Sequence, residues 1–164
     1  MRNRKAVAFL FVALTVFIAH SYAQMAKKER LDINPGFRNF QFKTPKEKYT
    51  ATYSFQRNTS YHWPDIVEIY SADYSVDIAS TRTDSLHLFF LGNRLVRTTV
   101  FLRDTIPDTY LFKYFGVPDS SVVSSSARVW KAATVTMETK TLFSKPCLDL
   151  YLNDFIDMMQ VFSK

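Results

Sequence analysis

The chain has 164 residues, 47% of them hydrophobic, 16% aromatic and 22% charged, with a formal net charge of +6, one cysteine and three glycines. This length favours one domain, and the apolar fraction excludes an intrinsically disordered chain. Gly36, Gly92 and Gly116 are too scattered for a phosphate-cradling loop or a dinucleotide fingerprint, each of which needs several glycines within a few residues.

Met1–Lys5 carry Arg2, Arg4 and Lys5 without an acid, and the apolar run 6–19 is broken only by Thr15. The run is shorter than the roughly 20 residues that span a bilayer comfortably. His20-Ser21-Tyr22-Ala23 then places small residues three before and one before a cut after Ala23, which is the pattern of a cleavable signal peptide over residues 1–23. The competing reading is an uncleaved anchor, which calls for a longer apolar core. No cysteine stands at the cut, so a lipoprotein anchor is excluded. Cleavage removes three bases and no acid, lowering the net charge from +6 to +3. The expected product is a secreted or periplasmic chain with no transmembrane span, a flexible lead-in over residues 24–35 and a single domain over 36–164.

Residues 24–60 hold eight bases (Lys27, Lys28, Arg30, Arg38, Lys43, Lys46, Lys48, Arg57) against Glu29, Asp32 and Glu47. A basic N-terminal third can favour an anionic surface or an acidic partner through long-range attraction; the plain alternative is a loose, solvated cluster. Cys147 is the only cysteine, so no intrachain disulfide forms. Animal secreted domains of this size usually carry several, which directs the reading towards a bacterial envelope. Asn58-Thr59-Ser60 is a glycosylation sequon, a pattern that arises often by chance and matters only in a eukaryote.

After the turn signal Asn34-Pro35-Gly36, Thr44-Pro45-Lys46-Glu47 has the form of a capped helix start. The alternation of Tyr49, Ala51, Tyr53 and Phe55 with polar residues argues instead for a strand, with Phe37–Gln56 as a hairpin. Both readings stay open. Ile66–Tyr70 and Tyr74–Ile78 read as short strands. Ser85–Arg103 reads as a hairpin turning at Gly92-Asn93. An odd number of loop residues puts Leu86, Leu88, Phe90, Val96, Val100 and Leu102 on one face and His87, Phe89, Leu95, Arg97 and Phe101 on the other, and that register is expected. Tyr110, Leu111, Tyr114 and Phe115 predict a helix over Ile106–Phe115 that Gly116 and Pro118 stop. A Ser-rich loop follows over Pro118–Ser126. Val129–Met137 and Leu148–Leu152 predict strands, the second turning Cys147, Asp149 and Tyr151 outward. Asn153 can cap a final helix through Phe162.

This order predicts an α+β fold, a mostly antiparallel sheet with one or two helices on one face. With LHLFFLGNRLVRTTVFL in the hairpin, YLFKYFGVP ending the helix, Trp130, and the strands TVTM and CLDLYL, residues 85–152 resemble small uncharacterised α+β modules of secreted and periplasmic bacterial proteins. The resemblance implies a scaffold and a compartment and transfers no functional residue.

The chemistry-bearing motifs are few. There is no Gly-x-Ser-x-Gly elbow, no His-Glu-x-x-His and no cysteine pair, and after cleavage only His62 and His87 remain, which excludes a His-rich metal site and leaves a two-His or His-Asp site open; no cofactor and no metal are assigned. In His62-Trp63-Pro64-Asp65, His62 could act as a base beside the Asp65 carboxylate while Trp63 stacks a sugar or apolar ligand. The alternative is a loop whose Trp packs on the sheet edge and whose Asp caps the next element. His87 alone reads as a half-exposed structural residue, and Cys147, lacking a visible base, as an inert thiol. Gly36–Lys43 interleaves bases and aromatics as single-strand nucleic-acid platforms do, but export and a charge of +3 speak against that partner. Twelve Phe, eight Tyr and two Trp after residue 23 are many for one core to hide, and an exposed aromatic patch marks a contact site. The last helix is apolar on more than one face. Either it packs in the core or it docks a partner through Phe155, Met159 and Phe162. The expectation is an exported, non-enzymatic interaction or ligand-binding domain, with Trp63, His62, Phe155, Met159 and Phe162 as candidate binding residues. A hydrolase built on His62 and Asp65 and a structural envelope component are the alternatives.

Overall fold

A computed structural model describes residues 2–61, 63–122 and 127–162. The elements in order are α1 (Arg2–Ile33), β1 (Gly36–Phe37), β2 (Phe40–Gln41), α2 (Glu47–Thr50), β3 (Gln56–Arg57), β4 (Val67–Asp73), β5 (Asp77–Ile78), β6 (Thr81–Leu91), β7 (Arg94–Leu102), α3 (Asp108–Phe115), β8 (Ser120–Val122), β9 (Ala127–Lys131), β10 (Val135–Leu142), β11 (Lys145–Leu152) and α4 (Asn153–Phe162). Nine strands form one sheet in the order β3-β4-β6-β7-β11-β10-β9-β8, with β5 on β6, and β1-β2 is a separate hairpin. Every pairing is antiparallel. This is the small α+β domain that the period-two and helical patterns predict.

The two middle strands are covered on both faces, which is why β7 is buried at every position after Arg94 and why it carries Thr and Arg as well as Val and Leu. The first face presents Leu86, Leu88, Phe90, Val100, Trp130, Met137, Leu148 and Leu150 to the core. It lies under the end of α1, the β1-β2 hairpin, α2 and α3. Phe40 bridges Tyr49 of α2 to this layer, and Tyr49 meets Phe90. Trp130 packs against Phe112 and Phe115 of α3, and its indole N–H donates to the Gly116 carbonyl at 2.8 Å. Gly116 ends α3 with φ +79° and ψ −167°, a backbone region open essentially to glycine alone. The second face carries Ile69, His87, Phe89, Arg97, Phe101, Cys147 and Asp149, under the loop around Trp63 and under α4.

Several expectations need correction. The hairpin loop has two residues, not an odd number: Leu91 pairs with Arg94, and Gly92 and Asn93 have φ +53° and +67°, as a type I′ turn requires. A β-bulge at Val96 absorbs the parity, so Phe89 faces Arg97 while Phe90 faces Leu95. The groups containing Leu86 and His87 therefore keep their expected faces, but Leu95 joins Phe90 in the core. The segment left open between helix and strand is one helical turn, α2, followed by the two-residue β3; Lys46, not Thr44, precedes that turn. Thr44 and Lys43 instead bond through their backbones to Leu95 on β7, extending the sheet past the end of β11. β4 runs on past Tyr70 to Asp73, leaving only Asp77–Ile78 of the second expected strand. Ser120–Val122 of the Ser-rich stretch pairs with β9 as an edge strand, and residues 123–126 lie outside the described ones.

The expected flexible lead-in is the end of α1. Leu31 is buried against the core, Lys28 pairs with Asp119, and Gln24 accepts the Val117 N–H at 3.0 Å. Asp32 closes the β9-β10 turn, accepting the N–H groups of Ala133, Thr134 and Val135 at 2.9, 2.9 and 3.2 Å and the Thr134 hydroxyl at 2.6 Å. Burial alone would raise its pKa, but these bonds favour the carboxylate and hold it below the usual range. A mostly polar segment is thus ordered by the bonds its polar residues make.

Candidate functional site

Of the sequence-predicted residues, Trp63, Phe155 and Met159 lie on the second face. Trp63 lies parallel to Phe155 of α4 with ring centroids 5.3 Å apart and meets Phe89 edge-on. Phe155 and Met159 are buried, so both side chains serve the core and neither is presented to a partner. Asp65 is exposed. His62 lies outside the described residues, as does the side chain of Phe162, although α4 extends to that position.

Beneath Trp63 is a charged cluster. Asp149 is 0% and Arg97 7% exposed. The guanidinium grips both carboxylate oxygens, with Nε–Oδ1 at 2.9 Å and Nη2–Oδ2 at 2.8 Å, and Thr99 donates its hydroxyl to Oδ1 at 2.9 Å. Lys140 reaches Asp149 at 2.6 Å and Glu138 at 2.7 Å. Burial alone would lower the Lys140 pKa, but Asp149 and Glu138 outweigh it and the ammonium is held above its ordinary value. The rings of Phe89 and Trp63 lie 4.6 and 5.1 Å from the Arg97 guanidinium carbon, adding cation–π attraction to a pair already desolvated. Two cations meet two anions here, so the cluster is internally neutral and its hydrogen-bonding groups are satisfied.

Next to it, the Tyr61 hydroxyl and His87 Nδ1 are 2.8 Å apart, and Phe101 lies against the imidazole. Burial lowers the His87 pKa to about 4, keeping the ring neutral at pH 7. Burial likewise raises the Tyr61 phenol, so Tyr61 stays protonated and can donate to the imidazole. Burial pushes the Cys147 thiol up to about 12, which agrees with an inert cysteine. No group of three or more metal-ligating side chains occurs among the described residues. The Arg97–Asp149 cluster and the Tyr61–His87 pair are held within the packing of the second face.

A deep recess opens on the first face. Between the end of α1, β1, β5 and α3 a cleft of about 580 Å3 descends to the sheet, within the roughly 300–1,000 Å3 typical of small-molecule sites. Met137, Leu148 and Leu150 of the sheet form its floor, and Ile106, Leu111 and Phe115 line the α3 side. Its mouth is polar, with Arg30, Asn34, Arg38, Asn39 and Asp77, all exposed. Sequence patterns missed this site because its floor reads as ordinary core. The one available signal was the excess of bases over residues 24–60, two of which stand at the mouth. The chain matches no protein-family model, no curated protein and no solved structure.

Two outcomes are expected on the second face. Asp149→Asn leaves Arg97 and Lys140 short of a negative charge in the interior and should cost about 3–5 kcal/mol, read by urea unfolding. The double change Arg97→Met with Asp149→Leu retains the Lys140–Glu138 pair and should cost less than the single one. Because the folded pKa of His87, about 4, lies below the unfolded value of about 6.5, protonation favours unfolding. Stability should fall as pH drops from 6.5 towards 4, and His87→Gln should flatten that part of the profile of thermal midpoint against pH.

Proposed function

We propose that the protein is an exported, non-enzymatic ligand-binding domain whose site is the cleft between α1, α3 and the sheet. The cleft itself carries the reading: it is a roomy apolar recess with a polar mouth, the form small-molecule sites generally take. The arginine and lysine start, short apolar core and Ala23 cut support export. A cut there leaves the Gln24–Ile33 part of α1, which bears the anchoring residues Gln24, Lys28, Leu31 and Asp32. The absence of a possible intrachain disulfide supports a bacterial envelope. Among the described residues no helix is long and apolar enough to cross a membrane.

The uncharged probe N-phenyl-1-naphthylamine tests this reading on the full chain, expressed with its own N-terminal segment and recovered from the host's export fraction. Saturable fluorescence enhancement at one probe per chain is expected, with a mature N-terminus at Gln24. Asn34→Trp, which adds bulk at the exposed mouth without touching the core, should weaken probe binding with no change in thermal midpoint. Linear, unsaturable enhancement, or saturation indifferent to this variant, would contradict the cleft as the site.

A further inference from the structure

The chemistry of the mouth narrows the ligand. We propose that the cleft takes a single-chain amphipathic anion, its carboxylate or phosphate head at Arg30 and Arg38 and its hydrocarbon chain on Met137, Leu148 and Leu150. This assignment rests on the cleft being the ligand site.

Both arginines are held at the mouth by backbone carbonyls. Arg38 donates from Nη2 to the Asp77 carbonyl at 2.7 Å, and Arg30 donates from Nη1 to the Tyr114 carbonyl at 3.5 Å. A carbonyl positions a guanidinium without cancelling its charge. Among the described residues neither arginine belongs to an ion pair. Each retains unused donors in a planar fork, the geometry that suits carboxylate and phosphate.

Two charges oppose an anion there. Asp77 is at the mouth, but its cross-strand neighbour is Arg82, and the carbonyl end of α1 contributes partial negative charge that Arg30, in its last turn, offsets. Asn34 and Asn39 add neutral amide donors. A fully apolar ligand would leave these polar groups unused, and a cationic one would meet two arginines. A chain with an anionic head satisfies both halves of the site. The floor lies below the surface, so the ligand enters as a monomer and not as part of a bilayer.

Calorimetric titration of the full chain with dodecanoate, dodecyl phosphate, dodecanol and dodecyltrimethylammonium, each below its micellar concentration, tests the assignment. Both anions are expected to bind at least about tenfold more tightly than dodecanol, the scale of a charge-assisted contact, and the cation most weakly. Dodecanoate against dodecyl phosphate separates the two head groups. Dodecanoate affinity should fall as pH drops through the ligand's own pKa and stay level above it, because arginine does not titrate there. The surface pair Arg30→Gln with Arg38→Asn, the latter tolerating the φ of +52° at that position, should abolish the preference for anions, bringing dodecanoate and dodecyl phosphate down to the affinity of dodecanol. Equal affinity for all four compounds would overturn the head-group assignment and leave the cleft reading standing. Binding of none would overturn both. Capture by phosphatidylglycerol vesicles without binding of monomeric anions would assign the arginines to a membrane surface and overturn the proposal.

Discussion

The need to cover the central strands β6, β7 and β11 on both faces organises this molecule. An antiparallel sheet commonly leaves one face to water. Here β7 is closed on both sides, and the second side includes Arg97 and Asp149, charges that cannot enter an interior alone. The bidentate pair, the Thr99 hydroxyl, the Lys140–Glu138 partners and the flanking rings of Trp63 and Phe89 make that face tolerable. Burying such a cluster yields little net stability, whereas removing one member is expensive. The loop around Trp63 and helix α4 act as its lid, and Trp63 stacked on Phe155 ties the two together.

The first face solves the same problem differently and less completely. Aromatic packing of Phe40, Tyr49 and Phe90 closes it beside β6, and Trp130 with Phe112 and Phe115 closes it beside β9. Between these two blocks the cover is thin, consisting of the end of α1, β1 and one side of α3, and the sheet remains reachable through the cleft. α1 is fixed there largely through polar residues, Gln24, Lys28 and Asp32, with Leu31 the apolar anchor. The proposed site thus lies where the domain's own packing leaves the sheet incompletely covered.

Much of the scaffold was legible because its elements are long and regular. Leu86, Leu88 and Val100 announce the hairpin, Tyr110, Leu111, Tyr114 and Phe115 the helix, and Leu148, Leu150 and Leu152 the last strand. Alternation cannot register a single inserted residue, so it hides the bulge at Val96 and implies an odd loop at Gly92-Asn93 where the loop has two residues. Polar content misled at Gln24–Ile33, where Asp32 orders the chain through hydrogen bonds that no hydropathy pattern contains. Asp149 was expected to turn outward. It does leave the first face, but the other face is buried too, and that second layer is formed by residues distant in sequence. Trp63, Phe155 and Met159 drew attention as aromatic or apolar residues in a loop and a terminal helix, and those features belong equally to a lid.

The central claim is that small ligands reach the sheet through the cleft on the first face. Methyl-resolved NMR of the full chain titrated with dodecanoate tests it most directly. Saturable shifts are expected at Ile106, Met137, Leu148 and Leu150, which line the cleft, with Ile69 and Met159 on the second face unmoved. Shifts confined to Ile69 and Met159, or drifting without saturation across both faces, would contradict it.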